Sequence, residues 1–228
     1  RVQKEVTMLM DAGANDDVSF QSYDDLPKPV QVWLTRSGVM GIDKIYNVAV
    51  NQKFRLKLTP TQKKWHHANA RQLFLTNTPA FLWFINLKMS PLMSVSGRDI
   101  FFNGRGKLLM KLNSIFRIGK EQGFKIDEGS IQRFLGEMVW FPSIALSSYV
   151  EWEQLDENVV KARMNYNGTY GEGVFYFDKN GDVEKFVAQR YKGNDKHAKK
   201  YEWVVRIHNY DTFSGVRMPS RLDATWKL

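Results

Sequence analysis

An α+β fold, with a strongly curved antiparallel sheet or incomplete barrel of about ten strands and two or three helices packed on it, follows from three observations. Most of the chain from Met40 onward alternates apolar and polar residues with the period of two that marks strands buried on one face and wet on the other. The punctuation between those runs is short, at Pro60, Thr78–Pro79, Ser90–Pro91 and Asn103–Gly104. It leaves no room for crossover helices and makes the connections antiparallel hairpins. One long stretch, Gly129–Leu146, carries instead the three-and-four spacing of an amphipathic helix at Ile131, Phe134, Leu135 and Met138.

In chain order, residues 1–25 read as a lead-in segment, with the apolar patch Val6–Met10 followed by the polar run DAGANDD. A single curved-sheet domain is expected over 26–228. It opens with a helix over 27–37, where two prolines precede Val30, Trp33 and Leu34 and Gly38 supplies the stop. Phe54, Leu56 and Leu58 then alternate with Lys53, Arg55 and Lys57, and further strand-like runs follow at 72–75, 81–88, 94–102 and 107–118. Asp127, Glu128 and Ser130 provide acidic and capping chemistry at the start of the 129–146 helix. Pro142 ends or kinks that helix near Trp140. Six more runs, 149–154, 158–165, 173–178, 183–191, 201–210 and 217–227, complete the meander. The best local signal is Phe175–Phe186 (FYFDKNGDVEKF), two strands joined across Asp178–Asp182 with Asn180–Gly181 in the turn.

Composition bounds the function. The 228 residues are 43% hydrophobic and include seven Trp, ample for one sizeable core. No run approaches eighteen apolar residues, so no membrane span is expected within the chain as given. The absence of Cys removes disulfides, thiolate metal sites and cysteine nucleophiles. A net charge of +9 favours anionic partners, and membrane proximity stays open on that ground. Nucleic acid is not expected, because the basic groups at Lys63–Lys64, Lys107/Lys111/Arg117/Lys120 and Lys192–Lys200 are separate and match no nucleic-acid module.

The candidate chemistry is sparse. His66 and His67 are neighbours whose side chains point to opposite faces of a strand, and no HxH or HExxH spacing exists, so no metal site and no cofactor are assigned. Asp178, Asn180 and Asp182 copy the opening of a calcium loop. The copy fails at Val183, where glycine is required, and at Gln189, where glutamate is. No GxSxG elbow anchors Ser-His-Asp catalysis. Arg133 and Glu137 stand at the i, i+4 spacing of an ion pair, which reads either as a surface pair or as a carboxylate held in an apolar cavity. Asp99 and Arg190 are possible counterparts from strands. The remaining clue is aromatic wealth: Trp65, Phe74, Phe81, Trp83, Trp140, Phe175, Phe177, Trp203 and Trp226 serve either as ordinary core or as the lining of a concave apolar face roofed by the helix.

Trp65–Phe74 (WHHANARQLF), Pro79–Phe84 (PAFLWF), Gly97–Gly106 (GRDIFFNGRG), Arg133–Leu146 (RFLGEMVWFPSIAL) and the closing Trp203, Gly215–Pro219 (GVRMP) and Trp226 together resemble an uncharacterised bacterial family. Its members often carry membrane segments before such a domain. The order of elements also resembles, at the level of fold, the LolA/LolB-type periplasmic lipoprotein carriers, incomplete barrels whose concave face receives acyl chains. These readings converge on binding of a lipid or other hydrophobic ligand at a bacterial cell envelope, periplasmic or membrane-associated. Trp65, Phe74, Phe81, Trp83, Glu137, Trp140 and Phe141 are the candidate ligand-binding residues. Two alternatives stand beside it, an enzyme acting on an apolar substrate through Glu137 and a structural or partner-binding domain with a filled core. A binding protein is favoured over an enzyme.

Overall fold

A computed structural model of the chain describes residues 6–7, 9, 19–42 and 45–228. The polar run 11–17 expected in the lead-in lies outside the described residues. Among the described residues, twelve strands form two six-stranded antiparallel meanders. The first contains β1 (Asn47–Leu56), β2 (His66–Leu75), β3 (Ala80–Ser90), β4 (Met93–Phe102), β5 (Arg105–Leu112) and β6 (Phe116–Gln122). The second contains β7 (Val150–Asp156), β8 (Val159–Tyr166), β9 (Thr169–Phe177), β10 (Val183–Tyr191), β11 (Lys200–Phe213) and β12 (Val216–Lys227). Helices α1 (Lys28–Ser37) and α2 (Phe124–Glu137) accompany them.

The α+β class and the antiparallel pairing agree with the sequence reading, and neither sheet closes into a barrel. The division into two sheets of six differs from the expected single sheet of about ten, for two reasons. The 107–118 run is itself a hairpin, β5 and β6, turning on Asn113 and Ser114, both at positive φ (47° and 60°). A turn without glycine inside an apolar stretch leaves little local trace. In addition, α2 stands between β6 and β7 in the chain and packs on both sheets, and those two strands are not paired.

Helix α2 is buried because both sheets make room for it with glycine. A Cβ on Gly106 of β5 would lie 2.4 Å from Ser130 Oγ, and one on Gly171 of β9 would lie 2.5 Å from Ile131 Cγ2. The helix begins five residues before the expected start, after Gly123 at φ 114°. Asp127 therefore sits in its first turn. Instead of capping, it accepts from the Gly106 N–H at 2.7 Å and from Arg105 Nη1 at 3.0 Å, which pins the helix to β5. At the other end the helix breaks near Trp140, as expected: it gives way to 3-10 turns at Met138–Trp140 and Pro142–Leu146, with Phe141 at φ −143° between them. Proline at 142 disfavours helical geometry in the residue before it, which is the physical reason for the break.

One core runs through the molecule. Phe74 and Phe81 from the first sheet, Phe134 from α2 and Phe141 from the break meet with Phe74–Phe141 and Phe134–Phe141 centroid distances of 4.5 and 5.2 Å. On the other side, Phe175 and Phe186 of the second sheet stand 4.8 Å apart, and Trp33 of α1 stacks on Phe175 at 6.2 Å. Each such side chain contributes roughly 1.5–3 kcal/mol by leaving water. A smaller cluster on the outer face of the first sheet joins Leu75 and Leu82 to Leu9 and Val6. The two sheets also touch at their turns. Asn103–Gly104 and Asn167–Gly168 all have positive φ, as two-residue hairpin turns require, and Thr169 Oγ1 donates to the Gly104 carbonyl across the join.

Candidate functional site

The strand registers arrange the inner face of the first sheet in level rows. Val48, Phe74, Phe81, Phe101 and Gly106 form the first, under the middle of α2. The next row is Val50, Gln72, Trp83, Asp99 and Leu108, and it is where the polar chemistry collects. Beyond it lie Gln52, Ala70, Ile85, Gly97 and Met110, and then Phe54, Ala68, Leu87, Val95 and Leu112.

The polar row meets the C-terminal half of α2. Arg133 donates through Nη1 to Asp99 Oδ2 at 2.9 Å, through Nε to Glu137 Oε1 at 2.9 Å and through Nη2 to Gln72 Oε1 at 3.2 Å. Gln72 Nε2 donates to the other Glu137 oxygen at 2.7 Å, so both oxygens of Glu137 are engaged. The network extends outward through Gln52, which donates to Gln72 Oε1 at 3.2 Å and accepts from Trp83 Nε1 at 2.9 Å. The Arg133 guanidinium also lies over Trp83, 4.6 Å from its ring centroid. Burial pushes the Glu137 and Asp99 carboxyls above their ordinary range, against the pull of Arg133. Burial likewise opposes the charge on Arg133, but Glu137 and Asp99 outweigh it and Arg133 stays protonated.

Arg190 of β10 faces the same interior from the second sheet. Its guanidinium lies 4.2 Å from the Trp203 ring centroid, and Nη2 donates to the Gly129 carbonyl at 2.8 Å. Burial, and then repulsion from Arg133, bring its pKa down to about 10. Its charge is near enough to Asp99 and Glu137 to act on both, yet its buried Nε has no hydrogen-bond partner among the described residues.

A second feature lies across α2. The β9–β10 pairing stops at Val174↔Val187, although each strand continues with its other neighbour. Gln132 fills the gap: its Nε2 donates to the Gln189 carbonyl at 3.0 Å and the Glu172 carbonyl at 3.4 Å, one on each strand. Two carbonyls on one side fix which amide atom faces them, so Oε1 turns the other way. That atom is buried without a partner. A cleft of about 490 Å³ opens beside it, lined among others by Arg105, Phe124, Lys161, Tyr170 and Lys200. Tyr170 donates to Glu172 Oε2 at 2.6 Å, the main cause that holds the Glu172 carboxyl below its ordinary pKa. Among the described residues no group of three or more His, Asp or Glu could hold a metal ion.

The seven residues singled out by the sequence fall into three places. Phe74, Phe81 and Phe141 are wholly buried and packed on one another, and Trp140 closes the same cluster with Nε1 donating to the Pro219 carbonyl at 3.1 Å. Trp83 and Glu137 belong to the polar row, together with Asp99. Trp65 stands apart on the surface at the β1–β2 turn, with Lys57 Nζ 5.0 Å from its ring centroid. Sequence reasoning missed Gln72 and Gln132. A glutamine between Ala70 and Phe74 on an inward-facing alternation is a legible signal for the first. For the second, the only hint is the pair Gly171 and Gly173 inside one strand.

Residues 16–228 match the model of a family of unknown function, DUF6544, and the chain belongs to that family. No curated protein and no solved structure matches it.

Proposed function

We propose that this member of a family without an assigned activity binds a lipid or other hydrophobic ligand on the inner face of its first sheet, the two sheets acting as an incomplete barrel around α2. The observation that carries the reading is the pair of rows beyond Arg133. Phe54, Ile85, Val95, Met110 and Leu112 line them and stay part-exposed, and none belongs to the core that α2 completes. Part-exposed apolar side chains gathered on one face, beside the buried Ala68, Ala70 and Leu87 of the same rows, support a binding surface there. Gly97 and Gly119 lower the floor: a Cβ on the first would lie 2.6 Å from Ile85 Cγ2, and one on the second 3.0 Å from Met110 Cε.

The polar row then becomes the inner end of the site. Apolar chain lies against the two outer rows, and a polar or acidic head turns toward Arg190, the interior cation with no carboxylate bonded to it among the described residues. Glu137, with both oxygens held, serves to orient Arg133 rather than to move a proton.

The experiment is uptake of a fluorescent fatty acid by delipidated protein in detergent-free buffer. Saturable uptake, lost in Ile85→Lys and Met110→Lys variants that keep the wild-type circular dichroism, is the expected result. Failure to take up any acyl probe, or uptake unchanged in both variants, would overturn it.

A further inference from the structure

Charge is divided between the two sheets. Residues 45–122, which span the first, carry thirteen lysines and arginines against two acids, Asp99 and Glu121, while the rest of the chain has twenty against twenty-two. Asp99 is turned inward and paired with Arg133, so it does not offset the surface. The first sheet alone therefore accounts for the positive charge of the whole protein.

One end of that sheet is unlike the rest of the surface. The β1–β2, β3–β4 and β5–β6 hairpins all turn there, because a meander returns to the same end at every second connection. The last two are tied together: Asn113 Oδ1 accepts from the Ser94 N–H at 2.8 Å and its Nδ2 reaches the Leu92 carbonyl at 3.4 Å. These turns hold out apolar side chains, with Leu92 91% exposed, Ile115 72%, Phe116 66% and Trp65 52%. Around them stand Lys57, Lys63, Lys64, Lys88 and Arg117, with no acid in any of the three turns.

We propose that this end of the first sheet docks on an anionic lipid bilayer, the apolar tips entering the headgroup region and the surrounding lysines meeting lipid phosphates. Charge complementarity selects an anionic partner, and the aliphatic tips select a membrane among anionic partners. Leu92 and Ile115 gain by leaving water for acyl boundary and have no flat face on which a nucleobase could stack. The part-exposed apolar rows begin directly behind these turns. Docking thus deepens the ligand-binding reading by naming the bilayer as the surface from which a hydrophobic ligand is taken or to which it is given.

The test is flotation with phosphatidylcholine vesicles, with and without phosphatidylglycerol, at low and high salt. Wild type is expected to float with the anionic vesicles only, and less so in salt. The Lys57→Gln/Lys63→Gln/Lys64→Gln variant should lose affinity by on the order of a hundredfold. The Leu92→Ser/Ile115→Ser/Phe116→Ser variant should lose at least about tenfold. All six side chains lie in or beside surface turns, and circular dichroism checks that the variants fold. Equal binding to neutral vesicles, no vesicle binding, unaffected variants, or a lysine-dependent preference for oligonucleotide over vesicles would each overturn the proposal. Fatty-acid uptake is read without a bilayer and flotation without a probe, so either result can fail while the other stands.

Discussion

Arg133 Nη1 and Asp99 Oδ2 lie 2.9 Å apart, joining α2 to β4 across 34 residues of chain. The same guanidinium holds Glu137, its own helical neighbour four residues on, so one cation satisfies two carboxylates that burial disfavours. Replacing Arg133 with Met removes the ion-pair partner that is bonded to both acids and leaves Glu137 the Gln72 amide. The variant is expected to lose about 3–5 kcal/mol of stability, measured by urea denaturation. Asp99→Asn, which keeps a hydrogen-bond acceptor at the same place, is expected to cost less.

Gln132 closes the gap between β9 and β10 with a single amide group. Gln132→Ala removes the donor from two carbonyls and is expected to cost about 1–3 kcal/mol. Amide exchange at 169–173 and 188–191 should accelerate with it, while exchange in the first sheet stays unchanged. Uniform acceleration through both sheets would show that the amide has no local role.

Glycine at 173 leaves the space that Phe186 occupies, since a Cβ there would lie 2.2 Å from its ring Cζ. Gly173→Ala is expected to destabilise by about 1–3 kcal/mol through overpacking. Adding Phe186→Leu should recover part of the loss. The measurement is a double-mutant cycle by thermal denaturation, and strict additivity would sink the argument.

Asp182 lies between Arg36 of α1 and Arg217 of β12, with Oδ2 2.9 and 2.7 Å from the two guanidinium groups. Burial pushes its pKa up, but the hydrogen bonds from Arg217 and Arg36 prevail and hold it below its ordinary value. A carboxylate depressed in the folded state adds stability that is present above its unfolded pKa and is lost as pH falls through the folded one. The contribution should therefore be intact at pH 5 and above and fall away below about pH 4. Asp182→Asn should lose most of this contribution at neutral pH and show a shallower decline in acid. Parallel wild-type and variant curves of denaturation midpoint against pH would refute it.

Much of the fold was legible because hairpins and helix faces are local. The Asp178–Asp182 turn joins β9 and β10 where the Asn180–Gly181 signal placed it, with Gly181 at φ 86°. Helix α1 runs within a residue of its expected bounds, buried along Pro29, Val30, Trp33, Leu34 and Ser37 and stopped by Gly38 at φ 79°. The start of α2 was misplaced because Asp127 looks like a cap by type, while its partners Arg105 and Gly106 are on a strand. The aromatic set was split for a similar reason. Phe74 and Trp65 are alike in a list of aromatics, and only packing makes one core and the other surface.

By itself the sequence determined which side chains share a face, because alternation and helical spacing are set within a few residues along the backbone. It also contained the concentration of positive charge in 45–122, visible to simple counting. Tertiary structure alone decided that α2 separates two sheets of six, and that Arg133, Asp99, Glu137 and Arg190 gather around one interior. It also decided that three hairpin turns present their apolar tips together. Each of these depends on which strands pair through space, and pairing is chosen by the burial of whole faces at once, an energy that no short window of residues contains.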